Sequence, residues 1–165
     1  MQRLCSSGLF HPFRQKAEVL APLEFWKHKS LKEMSHEEWE SLCDGCGKCC
    51  LVRLEDDNGD LACTNLSCIL LNVNSCECIN YDMRHEIVPE CMPLTPDNVS
   101  EMKWLPKTCA YRLLNEGKEL PEWHPLVTGD PESVHLAGVS VKGKVLPENV
   151  ADPDFLTDYI IDWMD

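Results

Sequence analysis

Trp39, Leu42 and Cys43 stand at i, i+3 and i+4, the spacing that gathers side chains on one face of a helix. Immediately before them, Ser35-His36-Glu37-Glu38 reads as a capping box, with Ser35 as N-cap and Glu38 reaching back to it. The pattern predicts a helix that turns its tryptophan inward and delivers Cys43 into the loop that follows. Upstream, the aromatic pair Phe25-Trp26 marks the start of the domain and supplies core anchors. Downstream, Leu51 to Glu55 and Leu61 to Asn65 flank Asp56-Asp57-Asn58-Gly59-Asp60, and an Asn-Gly pair between two such runs predicts a β-hairpin. The acidic turn is not an EF-hand: with Gly59 at loop position six, position one is Leu54 and position twelve is Asn65, neither a carboxylate. It reads as a solvated hairpin tip.

Periodicity then fades. Cys63, Cys68, Cys76, Cys78 and Cys91 thread a stretch with little regular pattern, in which Asn72-Val73-Asn74-Ser75 signals a turn. Irregular backbone of this kind is usually ordered by what its sulfurs bind. Thr95-Pro96-Asp97 predicts a short helix capped by Thr95. Thr108 predicts the cap of another, running through Tyr111, Leu113 and Leu114 to Gly117 and placing Cys109 at its N-terminus. The prolines of Pro121-Glu122-Trp123-His124-Pro125-Leu126 argue against regular helix there and for a segment that wraps the body with Trp123 buried. Val139-Ser140-Val141 alternates like a short strand, and Asp152-Pro153-Asp154 opens a terminal helix carrying Phe155, Tyr159, Ile160 and Trp163.

No internal repeat, low-complexity tract or second domain is visible. The expected architecture is α+β: one small domain over residues 23–165, built of short helices, one hairpin and irregular cysteine-rich loops, stabilised by metal. Residues 1–22 mix Pro12, Arg3 and Arg14 with scattered Leu and Phe. Apart from one turn suited to Lys16 to Leu20 they read as a poorly ordered extension, with an interaction arm or targeting peptide as the alternative.

Composition changes the picture in two respects. The formal net charge of −13 repels phosphate backbones, and no basic run offsets it, so nucleic acid is not an expected partner. The 11 cysteines are the compositional anomaly. An odd count, an N-terminus without the apolar run of a signal peptide and the lack of any span approaching a membrane helix all argue against a disulfide scaffold and for reduced, metal-held thiols in the cytoplasm.

The chemistry centres on Cys43-Asp44-Gly45-Cys46-Gly47-Lys48-Cys49-Cys50. Its glycines let the backbone curl, so that several sulfurs face one point and N–H groups face the sulfurs, as a soft metal or an iron–sulfur cluster requires. A C-x2-C-x2-C run suits a ferredoxin-type loop, but the proline that would directly follow the fourth ligand is displaced in Cys91-Met92-Pro93. Zinc and iron–sulfur therefore both stand. If Cys50 already begins the hairpin strand, Cys49 and Cys50 point to opposite faces. Cys43, Cys46 and Cys49 then share one centre with a ligand from further along. Cys50 turns toward the core, or toward a second centre with Cys76 and Cys78. Thioredoxin-like use of Cys43 and Cys46 is disfavoured because the helix precedes the motif. His11, His28, His36, His85, His124 and His135 form no metal-type pair; His124, between Trp123 and Pro125, is the best candidate ligand or proton carrier, against the simpler reading of a structural histidine. Arg84 and Lys48 are candidates to neutralise bound thiolates. No phosphate-binding glycine loop, nucleophile elbow or carboxylate pair is recognisable.

Three segments together resemble a known family. They are Phe25-Trp26 with Glu33-Met34-Ser35 and the run from Glu38 through Cys50 to Leu51; Cys76-Glu77-Cys78-Ile79-Asn80-Tyr81; and Leu105-Pro106-Lys107-Thr108-Cys109-Ala110-Tyr111-Arg112-Leu113-Leu114 continuing to Trp123-His124-Pro125-Leu126. They resemble the YcgN-type cysteine-cluster proteins within the wider CxxCxxCC group, described as zinc- or iron-chelating. The resemblance implies a small bacterial cytoplasmic protein whose metal-ligating cysteines are Cys43, Cys46, Cys49, Cys50, Cys68, Cys76, Cys78, Cys91 and Cys109. Cys63 stands where the family pattern has an aromatic, and the N-terminal extension is extra, so Cys63 and Cys5 fall outside that set.

The expected function is metal binding, as an iron–sulfur or zinc protein acting structurally or as a carrier. Two alternatives stand beside it. One is a metal-dependent enzyme, since the wider group is similar to flagellin lysine N-methylase, although no glycine-rich pocket for a methyl donor is visible. The other is a redox or assembly adaptor working through a partner protein.

Overall fold

The computed structural model describes residues 24–164, so the predicted extension, its turn at Lys16 to Leu20 and Cys5 lie outside the described residues. The capping box forms as predicted: Ser35 Oγ accepts the Glu38 N–H at 3.2 Å, and Glu38 Oε2 accepts the Ser35 N–H at 2.8 Å. It starts α1, His36–Ser41. The helix is short, and tertiary contacts hold it: Leu42 at its C-cap is fully buried, and the Trp39 ring lies 4.5 Å from that of Tyr111, whose hydroxyl donates to the Trp39 carbonyl. Phe25 and Trp26, packed edge to face, join Leu42, Val99, Met102, Leu105 and Tyr111 in the first of two apolar clusters.

The hairpin comprises β1, Leu51–Glu55, and β2, Leu61–Ser67, paired antiparallel. At its tip the Asp56 carboxylate accepts the N–H groups of Asn58 and Asp60, both at 2.9 Å. The acidic turn is thus closed by its own backbone, with its side chains exposed. A third strand, β3 at Leu146–Pro147, lies parallel to β2, and Thr64 bridges to Ile160. Leu51, Leu71, Cys76, Val141 and Val145 form the second apolar cluster behind this sheet. The remaining helices are α2 (Arg84–Ile87), α3 (Ala110–Asn115), α4 (Pro125–Thr128) and α5 (Ser133–Leu136). Short helices with a small three-stranded sheet make the domain α+β, the predicted class. Among the described residues no helix is long and apolar enough to cross a membrane.

Several local expectations are corrected. Residues 96–101 form successive turns in place of a helix: the Asn98 side chain takes the Thr95 N–H and also donates to the Pro93 carbonyl, which fixes a turn. The cap of α3 is Cys109 itself; Thr108 is not bound to the helix, and its hydroxyl is buried without a partner. Gly117 ends that helix with φ +69, as predicted. Pro125 does not prevent a helical turn, because it sits at the first position of α4, where its missing N–H has no bond to make. Val139 to Val141 is not a strand; Val141 instead donates its N–H to the Cys46 carbonyl at 2.9 Å, an anchor for the cysteine loop. The terminal segment starts at the Asp152 cap but forms a kinked 3-10 helix, Pro153–Tyr159, broken at Phe155.

Candidate metal centre

The cysteine loop curls as its glycines predict. Gly45 and Gly47 have φ of +73 and +74, left-handed values that favour glycine. At Gly47 there is also no room for a side chain, since a Cβ would stand 2.7 Å from Val141 Cγ2 and 3.6 Å from Cys76 Sγ. Residues Lys48–Cys50 close the loop as one 3-10 turn into β1. Arg53, on β1, holds the loop from outside: its guanidinium donates to the carbonyls of Leu51 at 3.1 Å and Lys48 at 3.3 Å and lies 4.7 Å over the Trp104 ring.

Backbone N–H groups point at the sulfurs. Gly45 donates to Cys43, Lys48 to Cys46, Leu70 to Cys68 at 3.5 Å, and both Tyr111 and Arg112 to Cys109 at the head of α3. The Val141 N–H likewise points at Cys76, and four of these six donors lie two residues after their cysteine, the arrangement in which a loop stabilises a thiolate held by a metal.

The thiols fall into two sets. Cys43, Cys46, Cys49 and Cys109 are crowded by protein and close enough to oppose one another's ionisation. Burial, then the negative charge of neighbouring groups, pushes Cys43 up to about 12 and Cys109 to about 11. Cys46 is raised well above the ordinary thiol value by burial and then by Asp44, and Cys49 by its contact with Cys50 and then by burial. Cys43 and Cys49 are exposed residues, whereas Cys46 is buried and Cys109 partly so. The second set is Cys68, Cys78 and Cys91. Burial raises Cys68 and Cys91, each is further raised by Cys78, and the Arg84 guanidinium beside Cys91 partly offsets its shift. Arg84 is positioned by stacking 3.7 Å over Tyr81, whose hydroxyl donates to Glu40.

Cys49 links the two sets, since its charge adds to the rise at Cys91. Cys50 lies beside it and packs against the second apolar cluster, so, against expectation, the adjacent sulfurs do not point to opposite faces. The Cys50 Sγ is 4.0 Å from that of Cys49, and the Cys50 carbonyl accepts the Cys68 N–H at 2.8 Å, one step beyond the β1–β2 ladder. Cys76 stands apart, buried in the second apolar cluster beneath Gly47, with a left-handed φ of 61. Cys63 packs against the same cluster, with its S–H directed at the Thr64 carbonyl and at Met164 Sδ. His124 is fully buried and structural: Nε2 donates to the Leu42 carbonyl and Nδ1 accepts the Leu126 N–H, both at 3.0 Å. Both ring nitrogens are thereby occupied, and no lone pair is left for a metal.

Among the described residues no three His, Cys, Asp or Glu side chains converge closely enough to enclose one ion as they stand. The donor set nevertheless suits a soft cation, and one feature asks for positive charge. Asp44, between Cys43 and Cys46, is buried; Oδ1 accepts the Cys46 N–H at 3.0 Å, while Oδ2 is buried without a partner. Sequence reasoning missed Asp44, although its place inside the cysteine motif was visible.

A family model described as "Putative zinc- or iron-chelating domain", of the CxxCxxCC type, matches residues 42–110. That span begins at Leu42 and ends just after Cys109, enclosing both thiol sets. A UPF0260 protein of Rhizobium johnstonii is 56% identical over 142 residues, covering 86% of this chain and 90% of its own length. A UPF0260 protein of Cellvibrio japonicus is 54% identical over 147 residues, 88% of this chain and 100% of the relative. Another, from Granulibacter bethesdensis, is 56% identical, with 86% and 84% of the two chains covered. No solved structure matches. With the cysteine pattern and near full-length identity in agreement, the chain belongs to the UPF0260 family of CxxCxxCC proteins.

Proposed function

We propose that the chain is a metal-binding protein in which Cys43, Cys46, Cys49 and Cys109 hold zinc or an iron–sulfur cluster, and that the bound group serves the structure or is carried. The observation that supports it is the set of backbone N–H groups aimed at Cys43, Cys46 and Cys109 around the buried, half-satisfied Asp44 carboxylate. A bound cation supplies the positive charge these groups lack; the chain's own contribution is to present sulfurs and fix the loop. Crowding keeps the free thiols protonated, so loading exchanges protons for metal. Cys68, Cys78 and Cys91 make a neighbouring set of three, with Arg84 balancing charge beside Cys91. Cys76 acts on this reading as a packed core residue beneath the loop.

Serine substitution tests the assignment. Replacing Cys43, Cys46, Cys49 or Cys109 singly should lower the metal bound per chain in protein purified without oxygen, whereas Cys76→Ser should leave it unchanged at some cost in stability. Wild-type metal content in all four first-set variants would refute the assignment.

A further inference from the structure

The second thiol set, Cys68, Cys78 and Cys91, is one donor short of the four that a zinc ion takes. Backbone pairing draws two of its members together. Leu71 bridges to Cys78, the Ile79 N–H meets the Leu70 carbonyl at 2.8 Å, and the Leu71 N–H meets the Cys68 carbonyl at 2.9 Å. Cys91 comes in from the turn after α2, where its N–H meets the Val88 carbonyl at 2.9 Å. Charge on Cys78 and Cys91 is felt at Cys68, and charge on Cys78 at Cys91, so the three sulfurs face one region.

His85 stands at the same place. It lies in α2, and its Nδ1 is 2.5 Å from the Cys91 carbonyl. A carbonyl only accepts, so Nδ1 carries the proton, and in the neutral ring Nε2 is left with a lone pair. Among the described residues Nε2 has no partner. This is the pattern of a histidine that ligates through Nε2: a backbone carbonyl fixes the tautomer and holds the ring. His124 is the contrast, since both of its nitrogens are bound to backbone. Spacing gave no sign of His85, because no second histidine stands three to five residues from it.

We propose that His85 Nε2 is the fourth ligand of a zinc site whose other ligands are Cys68, Cys78 and Cys91. The proposal deepens the metal-binding reading by giving it a second centre and naming the ion held there. One imidazole with three thiolates suits a single zinc ion, whereas iron–sulfur clusters are mostly held by thiolates alone. Three thiolates outweigh a divalent cation, and Arg84, stacked on Tyr81 beside Cys91, offsets the remainder. On loading, the three thiol protons leave to solvent as three Zn–S bonds and one Zn–N bond form, and no electron moves. The four donors do not enclose an ion as they stand; all four residues are partly exposed, so rotation of the thiols toward the ring is open to them.

Two measurements on the full chain, purified without oxygen and reloaded after chelation, test it. Cobalt(II), whose visible spectrum reports its ligands, is the first probe; it should bind with the bands of a tetrahedral ion and with sulfur-to-metal charge transfer. His85→Ala should weaken that binding about tenfold or more. His28→Ala, at an exposed histidine outside the set, should leave it unchanged. The second measurement is the nitrogen spectrum of the histidine rings in the zinc-loaded chain, where His85 should show a protonated Nδ1 and a metal-bound Nε2. The His85-dependent cobalt signal should persist in Cys46→Ser, which removes a ligand of the first centre, so failure of that assignment is told apart from failure of this one. The proposal is overturned if His85→Ala binds cobalt as the wild type does, if His28→Ala weakens binding equally, or if Nε2 of His85 keeps a free lone pair in the zinc-loaded chain.

Discussion

Cys63 and Cys46 share a residue type and differ in direction of hydrogen bonding. Cys63 directs its S–H at the Thr64 carbonyl at 3.7 Å or at Met164 Sδ at 3.6 Å, while Cys46 receives the Lys48 N–H, an arrangement suited to a metal-bound sulfur. Cys63→Ser should therefore leave metal content unchanged and Cys46→Ser should lower it; elemental analysis of the two purified variants checks this, and equal losses would contradict it. His124 carries a second residue-scale prediction. Burial holds its pKa below the ordinary value of 6.5, with its link to Leu42 opposing the shift. The unfolded chain therefore takes up this proton more readily, so His124 contributes stability above pH 6.5 that is lost as pH falls through and below that value. Chemical denaturation between pH 5 and 8 should show this slope, and His124→Ala should flatten it. The same variant should lose about 2 kcal/mol at neutral pH, because the Leu42 carbonyl is left unpaired. A slope unchanged in His124→Ala would contradict the assignment.

At the scale of elements, the cysteine loop is fixed by what its glycines permit. Gly45 and Gly47 share the left-handed conformation, but only Gly47 is pressed against Val141 and Cys76. Gly45→Ala should cost about 1 kcal/mol, the backbone penalty alone, and Gly47→Ala distinctly more, because its methyl group must displace Val141. Urea denaturation of both variants compares them directly; equal losses would show that the contact does not matter. The sequence was most legible where local chemistry decides the outcome: the Ser35–Glu38 box, the Asn58-Gly59 hairpin and the Gly117 stop all form. It was least legible where distant backbone competes. Val141 is claimed by the Cys46 carbonyl and not by a strand, and Asn98 turns the chain where Pro96 suggested a helix. The loop's curl could be read from its glycines, but the division of the thiols into two sets could not. Cys109 joins Cys43 only because Tyr111 packs on Trp39, and Cys68 meets Cys78 only through the bridge between Leu71 and Cys78. Both are tertiary contacts that spacing does not encode.

At the scale of the molecule, two apolar clusters meet around the cysteine loop, and neither is large. Residues 68–95 contain one four-residue helix and otherwise rest on turns and one isolated bridge. Ordered backbone of this type gains little from secondary structure, so the sulfurs' bound group should contribute a large part of the folding free energy. Removing metal with a chelator should therefore cause a cooperative loss of circular dichroism and a lower melting temperature. The central claim is that Cys43, Cys46, Cys49 and Cys109 hold a resident metal or cluster, and its most direct test is quantitation of iron, zinc and acid-labile sulfide in protein purified without oxygen. The account predicts at least one equivalent of zinc, or iron with matching sulfide, per chain, and a clear decrease in Cys46→Ser. Wild-type protein that carries none of the three and still melts cooperatively as a folded domain would contradict it.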